Sequence, residues 1–166
     1  MRTHYNLSEI KDRRLIEAVQ RRATKLIPQL RELPYEDRLK SLELPSMYYR
    51  RERGDMIEVY KYTHGLYDSD TPFKLAVSDT RGHSLKIFKS RANKSLRQHF
   101  FSHRVVDKWN SLPESKVQAP TLNNFKNQLD QHWKQYLYAQ KPISLNNFNK
   151  SEKCETPRCE QIVLEA

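Results

Sequence analysis

Three glycines and two cysteines are all that this 166-residue chain contains. So few glycines exclude a Gly-rich loop for nucleotide phosphates, a dinucleotide fingerprint and a nucleophile elbow. Both cysteines, Cys154 and Cys159, stand near the C-terminal end. Two cannot build the disulfide framework of a small secreted domain. In Cys-Glu-Thr-Pro-Arg-Cys they form at most half a zinc site, because the nearest histidine is His132. No stretch approaches the roughly 20 apolar residues of a membrane span. The opening Met-Arg-Thr-His-Tyr-Asn lacks the apolar run of a signal peptide. The expectation is an intracellular chain, nuclear or cytoplasmic, neither secreted nor membrane-bound.

Apolar residues are also scarce, at 37% against the roughly 45–50% of an average globular domain. A small core is expected, with part of the chain left open. Acidic residues number 20 against 30 basic ones, which gives a net charge of +10. Such an imbalance favours polyanionic partners and says nothing about fold. In the tail from Ala139 to Ala166, basic and acidic residues cancel, so the whole excess lies before it.

The apolar spacing predicts a mostly α fold of about five helices, formally α+β, in one domain over 1–138. A disordered tail over 139–166 is expected, where periodicity ends and Asn, Lys, Ser, Pro and Glu take over. The first helix is predicted from Glu9 to Leu30, with Ser8 as N-cap and Leu15, Val19, Ala23, Leu26 and Leu30 as its inward stripe. A short helix is expected after Pro34, with Leu39 and Leu42 inward. A third runs from Met47 to His64 and ends at Gly65. Gly54 inside it suggests a close backbone approach. Alternation of His83, Leu85 and Ile87 with Ser84, Lys86 and Phe88 predicts a strand, paired with 96–100 in a hairpin near 83–100. Ser102 is expected to cap a helix through Val105, Trp109 and Leu112. A last helix from Thr121 carries Leu122, Phe125, Leu129, Trp133 and Tyr136 on one face.

Between Thr80 and Val106 stand Arg81, Lys86, Lys89, Arg91, Lys94, Arg97 and Arg104, with no acidic residue among them. Two smaller groups, Arg21-Arg22 with Lys25 and Arg50-Arg51 with Arg53, stand on separate helices. Cations bind nucleic acid by displacing counterions from phosphates, and the arginine fork matches phosphate oxygens in pairs. His83, His99 and His103 add donors; Phe88, Phe100 and Phe101 add flat apolar faces of the kind that single strands stack on. A solvated basic face beside a filled core is the alternative reading of such a run.

No group able to run a reaction is visible, so no enzyme and no cofactor is expected. Tyr67-Asp68-Ser69-Asp70 has the look of a polymerase metal site. Two-metal chemistry needs carboxylates around ions about 4 Å apart, and here the aspartates sit in a turn without an acidic neighbour. His99 and His103 lack a third metal ligand.

An ordered series of blocks carries a family resemblance. It begins with Val19-Gln20-Arg21-Arg22-Ala23-Thr24-Lys25-Leu26-Ile27-Pro28 and Leu33-Pro34-Tyr35-Glu36-Asp37-Arg38-Leu39. It continues with Tyr49-Arg50-Arg51-Glu52-Arg53-Gly54-Asp55-Met56-Ile57-Glu58-Val59-Tyr60-Lys61 and Thr80-Arg81-Gly82-His83. Last come Phe100-Phe101-Ser102-His103-Arg104-Val105-Val106, Trp109-Asn110-Ser111-Leu112-Pro113 and Phe125-Lys126-Asn127-Gln128-Leu129-Asp130. In this order they resemble the C-terminal region of non-LTR retrotransposon reverse transcriptases of the jockey-like type, over about Glu9 to Tyr136. The resemblance implies the thumb and following region of an RNA-directed DNA polymerase, which would hold template RNA or the template–primer duplex. The palm with its paired aspartates and the endonuclease are missing, so a fragment without polymerase activity is implied, with the missing palm as a packing partner. A protein-interaction module, or an inert relic of the mobile element, is the competing expectation.

Overall fold

The structure, a computed structural model, describes residues 10–68, 70–77 and 82–139. These are mostly helical. The order is α1 (Ile10–Lys25), a 3-10 turn (Pro28–Leu30), α2 (Tyr35–Ser41), α3 (Met47–Thr63), α4 (Ser95–Gln98), α5 (Phe101–Arg104), α6 (Val106–Asn110), α7 (Glu114–Val117), α8 (Leu122–His132) and a second 3-10 turn (Lys134–Tyr136). The expected cap Ser8, the residue Arg81 and the tail from 140 on, with its two cysteines, lie outside the described residues.

The centre of the fold is α3 packed on α8. Each begins at a side-chain cap: Ser46 Oγ accepts from the Tyr49 amide, and Thr121 Oγ1 from the Asn124 amide. Such caps satisfy amides that the first helical turn leaves open. Helix α3 ends as its sequence predicts. Gly65 adopts φ 65°, its amide donates to Tyr62 O, and the Leu66 amide reaches back to Lys61 O. This pair of bonds closes a helix only around a left-handed residue, where glycine carries no steric cost.

Between them these helices bury Tyr49, Met56, Val59, Tyr60, Phe125, Leu129 and Trp133, with Trp109, Val105 and Val106 from α6 and its approach. The Tyr60 and Phe125 rings stack at 4.5 Å. Polar ties close the seam. Tyr60 Oη donates to Ala119 O, and the Ser46 amide donates to Leu137 O. Tyr49 Oη and the Arg53 guanidinium both donate to the Asp130 carboxylate.

The predicted hairpin does not form. Residues 95–98 are helical, and residues 83–88 make a single antiparallel bridge, Leu75 to Ile87. The alternation itself holds, since His83 and Ile87 are buried and Phe88 is exposed. On one edge of this extended segment residues 74–76 pair with it, the Ala76 amide donating to Lys86 O and the Phe88 amide to Lys74 O, and on the other edge α6 takes the place of a strand. Asn110 accepts from the Ile87 amide and donates to the Ile87 carbonyl, both at 2.9 Å. Trp109 Nε1 donates to Leu85 O, and the His83 ring meets Trp109 O. A side-chain amide has the same donor and acceptor as a peptide group, so it satisfies the second edge of the extended segment without a further strand.

Helix α1 is also set differently. It stops at Lys25, before Pro28, and its inward face is the polar one. Glu17 and Thr24 are buried, Tyr35 Oη donates to Glu17, and Gln20 Nε2 donates to Pro45 O. The predicted inward stripe faces out, with Leu15 and Val19 each 63% exposed and Leu26 82% exposed. Two smaller expectations change as well. A Cβ at Gly54 would meet nothing within 4 Å, so no backbone crosses there. Helix α5 starts after Phe100, which puts Ser102 inside the helix, away from its cap.

Candidate functional site

The cationic side chains fall into three groups. The first is held by carboxylates. Arg104 makes two bonds to Asp55, at 2.9 and 2.7 Å. Lys89 pairs with Asp107 at 2.6 Å, Arg53 with Asp130, and Lys108 with Glu52. Arg21 lies over the Tyr35 ring at 5.0 Å, and the Lys86 side chain folds across Gly82. The run from Lys86 to Arg104 is therefore not one continuous patch.

The second group is exposed. Arg22 and Lys25 end α1, and Arg91, Lys94 and Arg97 lead into and through α4. None of these five forms an ion pair among the described residues. Phe88 and Phe100 near them are half exposed, whereas Phe101 and His83 belong to the core. Arg97 also lines a polar cavity of about 260 Å³ with Lys74, Ser90, Ser102 and His103.

The third group lines a groove of about 350 Å³ where α1, the start of α3 and α5 meet. It is lined by Arg13, Arg50 and Arg51, by the Arg104 already paired with Asp55, and by an apolar floor of Ile16, Met47 and Tyr48. Four guanidinium groups and no carboxylate line it among the described residues. Helix geometry brings them together. Arg13 and Ile16, three apart, share one face of α1, and Met47 to Arg51 form the first turn of α3, whose first turn has no acidic residue. Burial lowers the Arg51 pKa from its ordinary value, the charges of Arg13 and Arg104 lower it further, and the carboxylates of Asp55 and Glu52 oppose the shift. Arg13 Nε is buried without a hydrogen-bond partner. A pocket whose lining carries several guanidinium groups offers forked donors that suit an anion. The α5 helix joins the two cavities, with His103 turned to the polar one and Arg104 to the groove.

Of the residues expected from sequence, Arg50, Arg51 and Arg104 converge here, and Arg21, Arg22, Lys25 and Arg53 do not. Arg13 is the residue that sequence reasoning missed. Its position three before Ile16, off the apolar stripe of α1, is the only signal. Asp68 and Asp70 are exposed, and no group of three metal-ligating side chains occurs among the described residues. No helix among these residues is long and apolar enough to cross a membrane. No protein family, no curated protein and no solved structure matches this chain.

Proposed function

We propose that this chain is a nucleic-acid-binding module that grips the phosphate backbone, chiefly through the arginine groove. The observation that carries this reading is the convergence of Arg13, Arg50 and Arg51 on one cavity, beside an Arg104 already paired with Asp55. Each phosphate held there releases condensed counterions, so binding gains entropy and weakens with salt. Arg91, Lys94 and Arg97 are further exposed cations that a long polyanion can meet. Backbone contacts position a strand without reading its bases, so little sequence preference follows. On the resemblance to the jockey-like polymerases, the anion is template RNA or an RNA–DNA hybrid, and the module is the thumb-side part of a larger enzyme. The chemistry would reside in the palm, and none is assigned to this chain.

The exposed Leu15, Val19 and Leu26 favour a companion reading, in which α1 packs on another protein surface such as that palm. The deciding experiment for the main reading is RNA and hybrid-duplex binding measured at several salt concentrations. The expected log–log slope corresponds to roughly 4–7 released counterions. Arg50→Ala, at an exposed position, should reduce that slope by about one contact. A response independent of salt would refute the electrostatic grip.

A further inference from the structure

We infer that the arginine groove is a subsite for one unpaired nucleotide of a single strand, with the base on the Ile16–Met47–Tyr48 floor and the phosphate among Arg13, Arg50 and Arg51. This rests on the nucleic-acid reading above and narrows it to a strand class.

Three features of the groove favour a nucleotide over a bare phosphate. The first is shape and size. At about 350 Å³ the cavity sits at the small end of the roughly 300–1,000 Å³ typical of ligand pockets. A duplex keeps its bases stacked inside and offers only its backbone, so it would cover the arginines and leave the floor empty. The second is chemistry. The floor is a tyrosine ring, a methionine and an isoleucine, and a base has an apolar π face to lay on such a surface. The groove continues into a second apolar hollow lined by Ile16, Val19, Gln20, Leu44, Met47 and Arg50, which gives a sugar or a neighbouring base room to pass.

The third is charge. Asp55 is taken by Arg104 through two bonds, and Glu52 is taken by Lys108. Both of these α3 carboxylates thus have a cationic partner, and both also act on the Arg51 charge. An acidic peptide would also satisfy the arginines. The phosphodiester is preferred because the apolar Ile16, Met47 and Tyr48 lie in the same lining as the arginines, which suits a base beside its phosphate, and a carboxylate side chain has no such face.

The test compares anisotropy titrations of the full chain with labelled probes matched in total charge. These are a single-stranded oligoadenylate, the same ribose-phosphate chain without bases, an RNA duplex and a polyglutamate peptide. The expected result is that oligoadenylate binds on the order of tenfold more tightly than the abasic chain and the duplex. Tyr48→Ser should erase that margin while the salt slope of the oligoadenylate stays as it was. The wild-type comparison stands on its own if Tyr48→Ser does not fold, which circular dichroism reports. Equal binding of the abasic and base-bearing strands would overturn the nucleotide subsite and leave the phosphate grip intact. Tighter binding of polyglutamate than of any RNA would overturn both.

Discussion

Replacing Asn110 by alanine tests the least ordinary feature of this fold, the support of an extended segment by a side chain. The Asn110 amide makes two hydrogen bonds to the backbone of Ile87, each 2.9 Å long. Ile87 itself is 2% exposed, so water reaches its peptide groups poorly. A neutral hydrogen bond contributes about 0.5–1.5 kcal/mol net, and a buried donor or acceptor left unsatisfied costs about 1–3 kcal/mol. Alanine removes both partners at once. Asn110 is only partly buried, and water entering the gap recovers some of the loss. The expected destabilisation is about 2–4 kcal/mol, most of it from the stranded Ile87 groups. In urea, with a slope of about 2 kcal/mol per molar for a domain of this size, the midpoint falls by about 1–2 M. Asn110→Asp retains the acceptor for the Ile87 amide but sets a carboxylate against the carbonyl, and it should destabilise in the same direction. Asn127→Ala, on the exposed side of α8, serves as the control and should stay within about 0.5 kcal/mol. Amide exchange at Ile87 should quicken in Asn110→Ala and stay slow in the control. A loss under about 0.5 kcal/mol for Asn110→Ala would mean that the Trp109 ties and the pairing with residues 74–76, and not the Asn110 amide, hold residues 83–88.

His83 should make stability fall on mild acidification. Burial pushes its pKa below the ordinary histidine value, with the Trp109 carbonyl opposing and Lys86 adding to the shift. The unfolded chain then takes up a proton near pH 6.5 that the folded chain refuses, so stability drops as pH falls from about 7. His83→Gln should flatten that slope in urea titrations between about pH 7 and 5, and an unchanged slope would refute the assignment. Asp130→Asn should lower stability by about 1 kcal/mol, because the Arg53 fork and Tyr49 lose a charged acceptor that is itself partly exposed. Burial raises the Asp130 pKa, but its bonds to Arg53 and Tyr49 outweigh that and hold it low. The stabilisation is present above about pH 4 and disappears as pH falls through the depressed folded value. Val19→Glu with Leu26→Glu should leave the urea midpoint nearly unchanged and reduce self-association or hydrophobic dye binding. A loss above about 2 kcal/mol would show that the α1 stripe is buried.

Helices α3 and α8 were legible in the sequence because their caps, apolar periods and stop signals agree. Ser46, Gly65 and Thr121 each do in the structure what their residue types suggest. The orientation of α1 was not legible. Two faces compete there, and the aliphatic one of Leu15 and Val19 looks like the core. The polar one wins because Tyr35 and the Pro45 carbonyl supply partners for Glu17 and Gln20. The alternation over 83–88 showed which side chains turn inward but not what would hold the backbone, since one edge is held by residues 74–76 and the other by a side chain 23 residues downstream. The cationic run was visible as composition. Its division was not, because the neutralising carboxylates are distant in sequence: Asp55 lies 49 positions from Arg104 and Asp130 lies 77 from Arg53. Convergence of Arg13 with Arg50 and Arg51 likewise depends on how α1 crosses α3.

The seam between α3 and α8 sets a schedule for the newborn polypeptide. Tyr49 waits for Asp130, which is made 81 residues later, and Tyr60 waits for Ala119, 59 residues later. Translation adds about 5–20 residues each second, so α3 spends several seconds outside the ribosome with its aromatic face wet. Any stop codon or frameshift ahead of Trp133 would leave that face without its cover, and the shortened product would be a substrate for chaperones and proteases.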